Sequence, residues 1–206
     1  MLPCPVCGSA EFRDHADRPS ALCAGCDSLE RHRCLLRVCD HLFQSGRDRT
    51  FLDVAPYSRR IFGEHLQARG WHCLRIDKWR HGNPRDPRDV SFIDLEVDLI
   101  DLRPLGSRCF DVIAVQHVIE EIPDYQRALA ELSRILAPEG TALLEIPWDE
   151  RRSASERQPQ DRFGNVWRFG RDLVEALEAV FSNVERRAMA EGAYRGDVFV
   201  CAHATA

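Results

Sequence analysis

The sequence predicts an α/β fold, a doubly wound and mostly parallel sheet of Rossmann-like type, preceded by a small four-cysteine segment. Three observations carry this reading. From residue 29 onward, short apolar strands alternate with amphipathic helical segments, as in a parallel sheet covered on both faces. Residues 110–147, FDVIAVQHVIEEIPDYQRALAELSRILAPEGTALLEIP, read as a buried strand, a turn, an amphipathic helix, a Pro-Glu-Gly turn and a second buried strand. Residues 1–28 contain two Cys-x-x-Cys pairs but few large apolar groups, so a bound metal must supply their folding energy.

In chain order, the four-cysteine segment comes first. Cys4 with Cys7, and Cys23 with Cys26, stand fifteen residues apart. Each pair presents two thiolates from one side, and two pairs complete a tetrahedron, for which Zn²⁺ is the expected occupant. The competing readings are a redox dithiol and chance spacing. A closed four-thiolate site leaves no position for substrate, so its zinc is structural. The expected division is a zinc-ribbon segment over 1–28 and a second domain over 29–206.

Residues 29–46 have apolar groups at helical spacing, ending at Gly46. Residues 50–54 form the first strand of the sheet. Residues 57–69 are helical and stop at Gly70, and 71–77 form the second strand. A polar loop with two prolines leads to a third strand over 90–99, weakened by alternating acids. The fourth strand spans 110–118, a helix 125–136, and the fifth strand 141–146. Residues 149–170 break the rhythm and read as a lid or mobile loop. A helix over 171–181 and a closing antiparallel pair, 184–189 and 198–203, complete the chain.

Bulk properties bound the function. The 206 residues are 44% hydrophobic with a net charge of -5, which suits a globular protein and gives no bulk attraction to nucleic acid. No apolar stretch approaches the about 20 residues that cross a bilayer. The N-terminus lacks a basic start followed by an apolar block, so a cytoplasmic location is expected. Nine cysteines, an odd number, argue against a disulfide framework.

The run 110–147, together with VDLIDLRP at 97–104, resembles the class I S-adenosylmethionine-dependent methyltransferases of type 11. The likeness is good over about residues 50–147. CPVCGS, CDSLERHRCLL and FLDVAP together resemble a bacterial subgroup with a zinc-ribbon start. The resemblance implies S-adenosylmethionine as cofactor and a methyl acceptor that is a small metabolite or RNA. It implies that Asp53, Ala55 and Pro56 face the methionine part of the cofactor, and that Asp77 accepts from the ribose hydroxyls. Asp98 and Leu99 meet the adenine, and Gln116 lies beneath the sulfonium. His117 is the catalytic candidate, as a base.

Each assignment has a plainer alternative. Asp53 caps a helix or fixes its loop, Asp77 is a solvated loop residue, and His117 is a hydrogen-bonded structural histidine. Asp94, Glu96 and Asp101 compete with Asp98. Glu120 and Glu121 read as a solvated helix entry. Glu145, Trp148 and Trp167 are possible substrate-side groups, and arginines at 151, 152, 157, 162, 168 and 171 either flank base-stacking aromatics or solvate a loop.

Three departures from the family pattern stand out. The first loop, DVAPYSRR, lacks the usual glycines, and Pro56 removes a backbone donor. Glu121 stands where the family often has histidine. The Asp-His pair that the subgroup carries before a similar Arg-x-aromatic-Gly is missing near RFGNVWRFG. An active methyltransferase therefore competes with a non-catalytic module whose ribbon contacts a partner. A dinucleotide-dependent dehydrogenase is disfavoured, because the first turn lacks the glycine fingerprint.

Overall fold

The computed structural model describes residues 2–43, 48–58, 60–79 and 91–204. Strands β1 (Phe12–His15) and β2 (Arg18–Cys23) form an antiparallel hairpin between the two cysteine pairs. Helix α1 (Glu30–Leu42) follows, then β3 (Thr50–Val54), a π-helical turn (Arg60–Glu64) running into α2 (His65–Gln67), β4 (His72–Asp77) and β5 (Leu95–Glu96). Next come β6 (Phe110–Gln116), a 3-10 turn (Ile119–Glu121), α3 (Tyr125–Ile135) and β7 (Leu136–Glu145). A small β8 (Glu156–Arg157) and β9 (Trp167–Arg168) pair precedes α4 (Asp172–Glu178), β10 (Asn183–Glu191) and β11 (Tyr194–Ala202).

The main sheet has seven strands in the order β10-β11-β7-β6-β3-β4-β5. Its five-strand half, β7 to β5, is parallel throughout, and β11 enters antiparallel between β7 and β10. Alternation along the strands divides the core. Leu52, Val54, Ile113 and Val115 face one layer with α3 and α4, while Phe51, Val112 and Ala114 face the other with α1 and the π-helical turn. Asp111 pins the start of this arrangement, because its carboxylate accepts from the Thr50 backbone N–H at 2.7 Å and the Thr50 hydroxyl at 2.8 Å.

The elements follow from local chemistry. Helix α3 buries Ala128, Leu129, Leu132 and Ile135 on one face, and the Asp124 side chain caps its start by accepting from the Arg127 N–H. Glu191 and Tyr194 pair across a two-residue turn containing Gly192 at φ +55°, which gives β10–β11 a tight hairpin. The expected third strand shortens to Leu95–Glu96, and Val90 and Gly46 lie outside the described residues. Its acids pair with neighbours: the Asp94 carboxylate accepts from the Arg75 guanidinium at 2.9 and 3.1 Å and from the Arg75 backbone N–H at 2.9 Å, where a strand carbonyl would otherwise accept. The helix expected over 57–69 begins only at Arg60, and its first turn is wider than an α-helix. Within the stretch 149–170, most of residues 150–163 is exposed and the end, at Val166, Phe169 and Gly170, is buried. Phe169 is 1% exposed, stacks with Trp167, and bridges to Trp148.

Arg33 joins the ribbon to the sheet. It is 0% exposed. Its guanidinium donates to the carbonyls of Ala21 and Ser28, pairs with Glu191 at the end of β10, and lies 4.9 Å from the Phe12 ring. Removing Arg33 leaves the Ala21 and Ser28 carbonyls without their donor and Glu191 with Arg37 alone. Arg33→Met is therefore expected to lower unfolding free energy by roughly 3–5 kcal/mol in urea titration. A loss within error of zero would show that the cation does not anchor this junction.

Candidate active site and metal centre

Strands β3 and β6 are neighbours, yet the chain leaves β3 toward β4 and leaves β6 toward β7, on opposite sides. Such a reversal opens a crevice at the carboxyl ends of the strands, where α/β sheets bind ligands. The loop after β3 forms one lip. Ala55 donates to the Ile76 carbonyl at 2.8 Å and takes φ +49°, the left-handed conformation that favours glycine. Pro56 beside it is buried. Asp53, expected to face a ligand or cap a helix, is 3% exposed within β3, and its Oδ2 has no hydrogen-bond partner among the described residues. Burial pushes its carboxyl up to about 8, outweighing the nearby Arg75 charge, so it holds its proton at neutral pH.

The second lip carries the other acids. Asp77 ends β4, and its Oδ1 accepts from the Trp79 N–H at 3.0 Å. Asp98 lies in the turn after β5. Its Oδ1 accepts from the Ile100 N–H at 3.2 Å and its Oδ2 pairs with Lys78 at 2.6 Å, tying the two loops together. Asp98 and Asp101 line an open cleft of about 490 Å³ with Val97, Arg103 and Pro104. Of the competing acids, Asp94 is held by Arg75 away from this cleft, and Asp101 is gripped at both oxygens by Arg103. Leu99 is buried in the core beneath it.

A charged cluster closes the crevice at β6 and β7. His117 sits just past β6 at φ +53°, its backbone N–H bonded to the Glu145 carbonyl at 3.0 Å. Its Nδ1 lies 3.1 Å from Glu120 and its Nε2 3.3 Å from Glu145. Tyr194, from β11, donates its hydroxyl to Glu145 Oε1, and Gln116 donates its side-chain amide to Glu145 Oε2 and to the Arg31 carbonyl. Burial alone would push the imidazole down, but bonds to two carboxylates raise it to about 9. Burial would raise Glu145, yet the His117 cation holds it below the usual carboxylate range. Burial and Glu145 together push the Tyr194 phenol up. At neutral pH, His117 is thus an imidazolium, which donates protons and does not accept them.

The sequence reading missed part of this cluster. Glu120, expected to be solvated, is 2% exposed. A buried acid three residues after a histidine is the one local signal for it. Tyr194 and the first turn of α1 are too distant in sequence to be signalled. The aromatic groups expected at the substrate side are packing residues. Trp148 donates to Asp197 at 2.9 Å and packs on Phe199, and Trp167 donates to the Ile122 carbonyl at 3.1 Å and packs edge-on against Tyr125. The nearby arginines are partly spent: Arg151 pairs with Asp149 and Arg152 with Glu156.

The sulfurs of Cys4, Cys7, Cys23 and Cys26 all lie within 4.8 Å of one another. Cys4 and Cys26 are 3.7 Å apart, Cys7 and Cys23 3.5 Å. A tetrahedral site with Zn–S near 2.3 Å needs sulfurs about 3.8 Å apart, so the set fits such an ion. The two knuckles repeat one pattern. The N–H of Cys4 bonds to Ser9 and that of Cys23 to Ser28, and each cysteine carbonyl accepts from four residues on. Gly25 has no room for a side chain, since a Cβ would stand 3.0 Å from Cys7 Sγ.

A family profile described as a methyltransferase domain matches residues 28–180. The chain belongs to this methyltransferase family. No curated protein sequence matches the chain. Among solved structures, a Burkholderia thailandensis 1,6-didemethyltoxoflavin-N1-methyltransferase, solved with that substrate and S-adenosylhomocysteine, is 15% identical. The match covers 82% of this chain and 76% of the other, with a TM-score of 0.63. A TehB-like S-adenosylmethionine-dependent methyltransferase from Corynebacterium glutamicum is 20% identical over 82% of this chain and 86% of its own, with a TM-score of 0.53. A Haloferax volcanii complex with the Trm112 methyltransferase activator gives 16% identity, 84% and 91% coverage, and a TM-score of 0.61. At these identities the likeness concerns the fold of the methyltransferase.

Two titrations check the electrostatics. Unfolded Asp53 ionises near 3.8 and folded Asp53 near 8, so the folded chain binds more protons in that window and loses stability as pH rises through it. Asp53→Asn is expected to raise the melting temperature more at pH 8 than at pH 5; an equal change at both would contradict a buried neutral carboxyl. His117 acts through the opposite pairing: its contribution is complete below about 6.5 and fades as pH rises to about 9. Its side chain is 37% exposed, so solvent screening weakens this contribution. Imidazole NMR shifts should titrate near 9 in the parent chain and lower in Glu145→Gln; an unmoved midpoint would remove Glu145 as the cause.

Proposed function

We propose that this methyltransferase moves a methyl group from S-adenosylmethionine to a small acceptor, and that Cys4, Cys7, Cys23 and Cys26 hold a structural zinc. The observation that carries the first part is Ala55 at φ +49°. The loop lacks the family's glycines, yet its backbone follows the path glycine would give, so the methionine end of a cofactor can approach. The orphaned, fully buried Oδ2 of Asp53 just before this loop is consistent with a polar ligand there.

In this reading Asp53, Ala55 and Pro56 form the methionine side. Asp77 offers acceptor oxygens to the ribose hydroxyls, which are donors. Asp98 accepts from the adenine amine, and Leu99 packs under the ring. Gln116 is fixed at the rim by Glu145. The bound cofactor supplies an electrophilic methyl on a sulfonium, and the chain's task is alignment. His117 is the catalytic candidate. As an imidazolium it has both ring N–H groups bonded, to Glu120 and Glu145, and it becomes a base only as pH approaches about 9.

A small acceptor is favoured over RNA because Trp148, Trp167 and Phe169 are consumed by packing, leaving Phe163, at 67% exposed, as the open aromatic of that stretch. The zinc reading implies thiols kept reduced, which suits the cytoplasm. None of the nine cysteines is in a disulfide, and no helix among the described residues is long and apolar enough to cross a membrane. A second reading, a non-catalytic module, draws on Pro56, which removes a backbone donor from the loop.

Thermal shift separates the two readings. S-adenosylhomocysteine should raise the melting temperature in a concentration-dependent way, and no shift at millimolar ligand would favour the module. Asp77→Ala should weaken that ligand at least tenfold in calorimetry with the fold retained; equal affinity would end the ribose assignment. Elemental analysis should find one zinc per chain, lost in Cys23→Ser. Zinc retained by that variant would refute the four-thiolate site.

A further inference from the structure

Beside the orphaned carboxylate oxygens of Asp53 and Glu120, a guanidinium near the crevice has no hydrogen bond or ion pair among the described residues. Arg31 lies in the first turn of α1, and its carbonyl accepts from Gln116 at 3.3 Å, which fixes this turn at the carboxyl end of β6. Its half-buried guanidinium is within electrostatic range of Glu145, Tyr194, Arg18 and Tyr57, yet among the described residues it has no hydrogen bond or ion pair. Neighbouring arginines are all matched: Arg18 with Glu30, and Arg33 and Arg37 with Glu191.

The nearby carboxylate is not available to Arg31. Both oxygens of Glu145 are taken, one by Tyr194 and His117, the other by Gln116. Glu120 is turned toward His117. A guanidinium carries five N–H donors in a planar fork and no acceptor, and it matches an oxyanion at two points. Withdrawing it from water without a partner is unfavourable, so a ligand that completes it gains affinity. Tyr57, within its range, follows directly on the Ala55–Pro56 lip, where Pro56 has no N–H to offer an anion.

We infer that Arg31 is an oxyanion-binding residue that holds a carboxylate or phosphate at the crevice between the ends of β3 and β7. The oxyanion comes either from the amino-acid end of the cofactor or from the methyl acceptor. The first source rests on the cofactor reading proposed above, and the second does not require it.

Calorimetry on the full chain distinguishes the sources. The ligands are S-adenosylhomocysteine and 5′-methylthioadenosine, which keeps the nucleoside but lacks the carboxylate. The proteins are the parent chain, Arg31→Met and Arg31→Lys. If Arg31 holds the cofactor carboxylate, Arg31→Met weakens S-adenosylhomocysteine roughly ten- to hundredfold and leaves methylthioadenosine unchanged. Arg31→Lys, which keeps the charge without the fork, falls between. If the acceptor supplies the oxyanion, S-adenosylhomocysteine binding is unchanged. Inorganic phosphate or acetate, at constant ionic strength, then raises the melting temperature of the parent chain and not of Arg31→Met. A parent chain that ignores S-adenosylhomocysteine but keeps an Arg31-dependent anion shift would sink the cofactor reading and leave the oxyanion site. No difference between the parent chain and Arg31→Met in any arm overturns the inference.

Discussion

The buried cation of Arg33 sets the geometry on which the rest depends. A guanidinium at 0% exposure must find acceptors, and it finds them on two parts of the chain outside its own helix. Ala21 and Ser28 belong to the ribbon, Arg33 to α1, and Glu191 to the β10–β11 hairpin. Satisfying one charge therefore fixes the ribbon, the first helix and the last hairpin against each other. Both α1 and that hairpin then deliver groups to the crevice: the Arg31 carbonyl to Gln116, and the Tyr194 hydroxyl to Glu145. The small four-cysteine segment is in this way built into the frame of the crevice.

Two of the left-handed non-glycine residues stand where the two central strands end. Ala55 and His117 both take left-handed backbone without being glycine, and they follow β3 and β6, the neighbours at the switch point. Each such residue costs on the order of 1–2 kcal/mol and persists only where its surroundings hold it. Ala55 is held by Ile76 and His117 by the Glu145 carbonyl, so the sheet itself supports both. The left-handed turn at His117 brings the imidazole between two glutamates and makes it a cation. The same pair of strands thus shapes one lip of the crevice and charges the other.

The outline of the fold was legible because it rests on local patterns. Residues 110–147 carry strand, helix and strand periodicity in their own order, and the alternation of segments implies a parallel sheet without any distant contact. The four cysteines were legible for the same reason, since each pair makes its own turn. Elements with mixed signals were misjudged. The acids of 90–99 pair with arginine and lysine, which shortens β5 to two residues. Residues 149–170 look polar, but Phe169 and Trp167 pack on Tyr125 and anchor the end of the stretch. In the site, Asp77, Asp98, Gln116 and His117 were named from the family resemblance, and the groups they touch were not legible in the sequence.

The sequence by itself determined the central sheet, its parallel direction and the pairing of the four N-terminal cysteines into two turns, because periodicity and turn chemistry act over a few residues. Only the tertiary structure decided their electrostatic state. Glu145 meets Tyr194 across 49 positions, and Arg33 meets Glu191 across 158. Whether His117 is neutral or charged, whether Glu120 is solvated or buried, and whether Arg31 is matched or open depend on which distant groups share a low-dielectric space. Burial and pairing act through space, and no local pattern encodes them.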